Sequence, residues 1–294
     1  MRNKFLGVSA AVAALLLSAP AFAQDEGSSS TGADSNAGSW TGPYIGGSLG
    51  YSWQPNYGRD RNETLVFDTD GDGNFNNGVS TVATTNAFAD GFCRGVANGA
   101  TRADGCRGDN DGRVGWSVHA GYDVQMGNFL VGGVIEGGKA YVSNSVSGFS
   151  TTPASYTLTR RLDWNGAARL RAGFILPTNT LLYGTGGLAY GKFKNSFATT
   201  NTFNTFTQTD RKEDDWGWTV GGGIEQKVSD QFSIGVLYKY TRFSPNDYTV
   251  TAGQGTPASL TNPFVITPAG ETVIGRSNDR FEVQDVRVTA SFRF

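Results

Sequence analysis

At 294 residues with a net charge of −2, the chain has the length of one domain with large connections, and no basic excess of the kind that binds nucleic acid. Glycine is abundant at 41 residues, aromatics make up 12%, and proline is sparse at 9, while mean hydropathy is that of a polar protein. Beyond the N-terminal leader no apolar run is long enough for a membrane helix, which excludes a helical membrane protein but not one that crosses with strands.

Residues 1–23 read as a signal peptide. Arg2 and Lys4 form a charged start, Leu6 to Ala19 an apolar run, and Ala21-Phe22-Ala23 a small-x-small cleavage site. Cleavage there removes two of the 24 basic residues and leaves the mature chain slightly more acidic. Residues 24–39, QDEGSSSTGADSNAGS, are polar and free of aromatics, so they read as a flexible periplasmic lead-in. The barrel domain is expected over 40–294.

Alternation with a period of two then recurs along the chain. In Tyr44–Trp53, Ile45, Leu49, Tyr51 and Trp53 share one face against Tyr44, Ser48 and Ser52. In Val114–Met126, an unbroken apolar file from Val114 to Met126 faces Ser117, His119, Asp123 and Gln125. Gly127-Asn128 turns the chain into Phe129–Val142, which carries Glu136. In Leu162–Phe174, Leu162, Trp164, Ala168, Leu170, Ala172 and Phe174 oppose Asp163, Asn165, Arg169 and Arg171. Leu181–Phe193 is too glycine-rich for its facing, or that of Lys192, to be read. Asp215–Val228 sets Trp216, Trp218, Val220 and Ile224 against Thr219, Glu225 and Lys227. Phe232–Phe243 sets Ile234, Val236, Tyr238 and Tyr240 against Lys239. Phe281–Phe294 sets Val286, Val288, Ala290, Phe292 and Phe294 against Asp285, Arg287, Thr289, Ser291 and Arg293.

Connections after the second, fourth and sixth strands are a few residues long. Those after the first, third, fifth and seventh are long: Gln54–Arg113, Ser143–Arg161, Lys194–Asp214 and Ser244–Arg280. This short–long alternation predicts an all-β, antiparallel up-and-down transmembrane barrel of about eight strands, with short periplasmic turns and long extracellular loops. Ten strands stay open, since Leu65–Phe67 and Val79–Thr84 would suit a further hairpin.

The strand Phe281–Phe294 resembles the C-terminal sorting signal of bacterial outer-membrane barrels, in which a terminal Phe and an aromatic two residues earlier are read by the barrel-assembly machinery. Phe292 and Phe294 fit it; Thr289 stands where that signal often has Gly. W-T-G-P-Y-I-G-G-S-L-G-Y-S-W at Trp40–Trp53, R-L-R-A-G-F at Arg169–Phe174, L-L-Y-G-T-G-G-L-A-Y-G at Leu181–Gly191 and G-W-T-V-G-G-G-I-E at Gly217–Glu225 resemble strands of the small outer-membrane β-barrel family, the porin-family surface proteins of alphaproteobacteria. The resemblance implies an eight-stranded barrel in the outer membrane of a Gram-negative bacterium. One departure concerns the lumen: the family often has Glu-Tyr-Arg-Tyr in the seventh strand, where this chain has Leu237-Tyr238-Lys239-Tyr240. An acid is missing beside Lys239.

Chemistry-bearing residues fall into four groups. Asp123, Glu136, Asp163, Arg169, Arg171, Glu225, Lys227, Lys239, Asp285 and Arg287 occupy polar-face positions. In a narrow barrel they read as a paired plug, or alternatively as the lining of a narrow pore. His119 with Ser117 two residues before it is the one nucleophile–base arrangement, and a common coincidence in a Ser-rich strand, so no enzymatic activity is expected. Asp68, Asp70, Asp72 and Asn74 have the spacing of a calcium loop, but its twelfth position is Val79 rather than a bidentate Glu, so a solvated acidic turn competes with calcium as the one candidate cofactor. Cys93 and Cys106, the only cysteines, are expected to form a disulfide in an exported chain. The expected role is structural or surface interaction (envelope integrity, adhesion or ligand capture by the loops), with a narrow diffusion porin or an envelope lipid-modifying enzyme as rivals. Expected partners are outer-membrane lipid and lipopolysaccharide, the assembly machinery and an extracellular ligand of unknown kind, for a monomer that binds no nucleic acid.

Overall fold

The computed structural model describes residues 39–55, 63–108, 112–245 and 247–294; the signal peptide and all of the lead-in except Ser39 lie outside them. Eight strands form the barrel: β1 Gly42–Trp53, β2 Arg113–Met126, β3 Phe129–Lys139, β4 Ala154–Leu176, β5 Thr180–Thr199, β6 Lys212–Lys227, β7 Phe232–Phe243 and β8 Phe281–Arg293. Each pairs antiparallel with its neighbours in sequence. β8 closes onto β1 from Tyr44↔Arg293 to Trp53↔Gln284, so the sheet has no open edge. The last backbone N–H, of Phe294, donates to the Pro43 carbonyl at 3.1 Å.

Alternation decides which side chains meet lipid. Ile45, Leu49, Val118, Leu170, Leu188, Ile234 and Val288 all point outward and are exposed, Leu170 by 73%. Such a continuous apolar band fits a hydrocarbon surround and would be a liability in water. Trp116, Trp164, Trp216 and Trp218 ring the band at the end carrying the long connections. Phe129, Phe174, Phe232, Phe292 and Phe294 ring the other end, with Phe129 edge-on to Phe174 and Phe292 edge-on to Phe294. The glycine-rich β5 is now placed: Leu181, Thr185 and Ala189 point in, while Leu182, Leu188 and Lys192 point out.

Two expectations are corrected. Leu162 does not share the outer face of Trp164. The register steps from Lys192↔Trp164 to Phe193↔Leu162, so Asp163 is an extra residue in a bulge and everything before it changes face. Nor is Ser143–Arg161 a loop. Strand β4 is 23 residues long, and its first part pairs with a strand at Ser143–Ser150, from Ser143↔Arg161 to Ser150↔Ala154. About ten residues cross a bilayer, so β4 and the 20-residue β5 rise well beyond it.

The long connections fold into a cap. Thr205–Thr209, Thr249–Gly253, Thr272–Arg276 and Leu65–Asp68 make a second antiparallel sheet in that order. Leu65–Asp68 therefore belongs to the cap and not to a ten-stranded barrel; Val79–Thr84 contributes only an isolated bridge, Ser80↔Asn86. Leu65, Phe67, Phe88, Val146, Tyr156, Leu158, Val250, Phe264 and Ile274 form the cap's own apolar core. Cys93 and Cys106 are joined in a disulfide at its flank. Arg276 pins the sheet to the rising hairpin, donating to the Glu63 carboxylate at 2.7 and 2.9 Å and to the carbonyls of Asn144 and Leu158 at 3.1 Å each.

Candidate functional site: the barrel lumen and its closures

The lumen is filled in layers. At the end carrying the short turns, Trp40, Leu130, Ile175 and Leu181 form an apolar floor. Trp40 is held there by two cations over its ring, Arg293 at 4.8 Å and Lys227 at 5.3 Å. Lys227 donates to the Ser39 carbonyl at 2.7 Å, so it belongs to this floor rather than to the charge layer.

Above the floor, Arg171 is the hub of a four-membered cluster. Its Nε donates to Asp123 at 2.8 Å, its Nη2 to the other oxygen of the same carboxylate, and its Nη1 to Glu225 at 2.9 Å. Arg293 completes the set, 2.8 Å from Asp123 and 3.5 Å from Glu225. Ser233 donates to Glu225 at 2.6 Å. Tyr44 lies between the two guanidiniums, 4.6 Å from that of Arg171 and 4.7 Å from that of Arg293. All four charged groups are buried, so the charge balance, two acids against two bases, is what makes their desolvation tolerable. Glycine makes the room: a Cβ on Gly121 would come within 2.4 Å of the Tyr44 ring, and one on Gly132 within 2.0 Å of the Asp123 carboxylate.

A second cluster lies beside the first. Glu136 accepts from Arg169 at 2.8 Å on one oxygen and from Lys239 on the other. The acid missing next to Lys239 in sequence is thus supplied from across the lumen by β3. Asp285 accepts from Arg287 at 3.0 Å and from Ser52. His119 and Ser117 are not partners: His119 Nε2 meets Ser291 Oγ at 3.0 Å, while Ser117 Oγ meets Ser48 Oγ at 2.7 Å. The cavity beside His119 is about 30 Å³, roughly one water molecule.

Towards the cap the lumen turns apolar again. Ala140, Val142, Leu162, Ala189, Phe193, Phe243, Phe281 and Val283 pack into a further layer, with Phe193 edge-on to Phe243 and Phe281. Buried Arg160 sits over it, 5.5 Å from the Phe281 ring, and gathers the carbonyls of Pro245 at 2.6 Å, Arg280 at 3.0 Å and both Asn278 and Asp279 at 3.4 Å.

Most of the polar-face residues therefore meet inside, but Asp163 does not. The bulge turns it to the extracellular rim, 2.7 Å from Lys194 and 3.9 Å from Lys139, and the expectation that it joins the lumenal charges is corrected. Arg293 and Arg160 were absent from the expected site. Arg293 was legible, since it alternates in phase with Arg287. Arg160 was not, because its facing depends on the bulge.

In the acidic loop Asp68, Asp70 and Asp72 have carboxylate oxygens within 4.8 Å of one another. Asp68 already accepts the N–H groups of Gly71 at 2.8 Å and Gly73 at 2.9 Å. Asp72 accepts both the backbone and the side-chain N–H of Asn74, which holds its carboxyl below the usual range. Val79, at the twelfth position, is buried in the cap core and offers no ligand. These hydrogen bonds hold the three carboxylates together in one turn.

A closed eight-stranded barrel with an outward apolar band and an inward charge layer defines an integral outer-membrane barrel protein. Residues 9–294 match the outer membrane protein beta-barrel domain, and the chain belongs to that family. It is 29% identical over 246 residues to a 31 kDa outer-membrane immunogenic protein of Brucella melitensis, covering 82% of this chain and 87% of the relative. It is 32% identical over 139 residues to a 22 kDa outer membrane protein of Rhizobium leguminosarum, covering 47% and 57%. Among solved structures it is similar to the outer membrane protein OprG of Pseudomonas aeruginosa, with a TM-score of 0.45, 12% identity, and 86% and 97% of the two chains covered. The family and the Brucella and Rhizobium relatives place the protein in the outer membrane of a Gram-negative cell.

Proposed function

We propose that the protein is a plugged scaffold that holds a folded cap at the cell surface, with a structural or surface-interaction role rather than a transport or catalytic one. The observation that carries this reading is the layered lumen: an apolar floor, paired charges and an apolar ceiling are stacked across a barrel whose interior is barely wide enough for side chains. The small space beside His119 supports a non-enzymatic role, because no lipid or peptide substrate fits there. Variation for adhesion or ligand capture then resides in the cap, as it does for loops on other rigid scaffolds. The Brucella relative is named for its immunogenicity, and by likeness the cap of this chain is a surface met from outside. Planar-bilayer recording of the purified protein tests the proposal. The expected result is no steady single-channel conductance. A large, stable, ion-selective conductance from the unmodified protein would overturn it in favour of a narrow diffusion porin.

A further inference from the structure

A band of cations lies on the outer face of the barrel just beyond the aromatic ring. Arg161, Lys194 and Lys212 are direct cross-strand neighbours: Arg161 pairs with Lys194, and Lys194 with Lys212. All three are exposed, between inward neighbours that are buried: Arg160 and Leu162, Phe193 and Asn195, and Glu213. Like charges placed opposite one another destabilise a sheet, so three in a row are an arrangement the fold alone does not favour. Arg113 at the start of β2 and Arg211 just before β6 lie near this row, and the five cations line a cavity of about 700 Å³ together with Tyr141. Lys194 is compensated by Asp163. Among the described residues, Arg113, Arg161, Arg211 and Lys212 take part in no ion pair.

The height of the band identifies its occupant. Trp164, Tyr190 and Trp216 follow or precede Arg161, Lys194 and Lys212 by three or four residues on the same strands. At about 3.3 Å per residue and a tilt of roughly 40°, the cations stand about 8–10 Å above the aromatic ring. That is the level of the headgroups of the outer leaflet. We propose that this band binds the phosphates of a phosphorylated glycolipid of the outer leaflet, with the sugar portion in the cavity. The cavity is too large for one inorganic anion, and a soluble polyanion would have no reason to meet cations aligned with the membrane surface. The proposal rests on the barrel's place in the membrane and stands whether or not the lumen conducts.

Native mass spectrometry of the refolded full-length protein, titrated with diphosphorylated lipid A, with the same lipid dephosphorylated and with inorganic phosphate, tests it. The wild type is expected to retain the diphosphorylated lipid at least about tenfold more tightly than the dephosphorylated one. The triple variant Arg161→Gln/Lys194→Gln/Lys212→Gln is expected to lose that preference, and Arg161→Lys/Lys194→Arg/Lys212→Arg to keep it. Heat-modifiable gel mobility reports folding; if the triple variant does not fold, R161Q and K212Q singly are each expected to weaken retention several-fold. Equal retention of the two lipids by the wild type, or unchanged preference in the folded glutamine variants, would overturn the proposal. So would displacement of the lipid by inorganic phosphate at equal concentration, which would assign the band to simple anions.

Discussion

Replacement of Arg171 by Met separates charge from volume at the lumen hub. Met keeps much of the apolar bulk between Tyr44 and Tyr183, whose rings lie 4.6 and 5.2 Å from the guanidinium. It removes the donors to both Asp123 and Glu225, leaving two buried carboxylates to share Arg293. Breaking a buried ion pair from one side costs about 3–5 kcal/mol, because the stranded charge stays desolvated. The groups are almost fully buried, so little screening reduces this figure. With a urea slope of about 3 kcal/mol per molar, the unfolding midpoint is expected to fall by on the order of 1 M. The assay is urea titration of the barrel in lipid vesicles, read by heat-modifiable gel mobility. The pair Arg171→Met/Glu225→Gln restores the charge balance and is expected to recover at least half of the loss. An unchanged midpoint in R171M, or no recovery in the pair, would show that the lumen charges are hydrated rather than packed, and would refute the argument.

Deletion of Phe294 removes one partner of the terminal aromatic pair and the N–H to Pro43, so the fraction reaching the folded, heat-modifiable form in cells should fall; unchanged folding and surface exposure would count against an assembly role. The unreduced, denatured protein should show no thiol reactive towards a labelling reagent, and C93S/C106S should lose about 3 kcal/mol of local stability, as expected for a ring with a sequence separation of 13, seen as faster proteolysis near Cys93. Arg160→Met strands four carbonyls at the base of the cap; protease should then cut between Ser244 and Arg280 while the barrel's gel mobility is unchanged, and equal protection of both forms would reject this role for Arg160. Asp68→Ala frees the N–H groups of Gly71 and Gly73 and should speed cleavage of the acidic loop. The wild type compared in calcium and in chelator tests the ion separately, since identical cleavage in the two would remove calcium as a ligand of Asp68, Asp70 and Asp72.

The barrel was legible because lipid imposes a rule on every second residue. Val114 to Met126 in β2 and Val286 to Phe294 in β8 carry that rule unbroken, and each side chain assigned outward in those two strands from sequence is outward in the structure. The cap escaped for the opposite reason. SNSVSGFS and ASYTLTRR contact protein on both sides, so their burial does not alternate and no period marks them. Their partners are also remote: Leu65–Asp68 pairs with Thr272–Arg276 near the other end of the chain, and no local signal encodes that choice. The site was readable to the same extent as the strands beneath it. Arg169, Arg171, Glu225 and Lys239 follow from alternation, but the bulge at Asp163 reverses the phase, removes Asp163 from the lumen and brings Arg160 in.

That phase reversal also bears on how the molecule divides its labour. Below the bulge, β4 obeys the membrane: apolar out, charged in. Above it, the same strand carries Arg161 outward, and Arg160 and Leu162 inward. One inserted residue thus lets a single continuous strand serve two solvents. It sets Arg161 in register with Lys194 and Lys212 at headgroup height, and seats Arg160 under the cap carbonyls. Barrel and cap share this strand yet keep separate apolar cores, divided by the layer of Phe193, Phe243 and Phe281. Substitutions on the cap surface are therefore expected to leave the lumenal charge clusters in place. Under the proposed scaffold role, that separation would let the cap vary while the ion-paired lumen keeps the membrane anchor assembled.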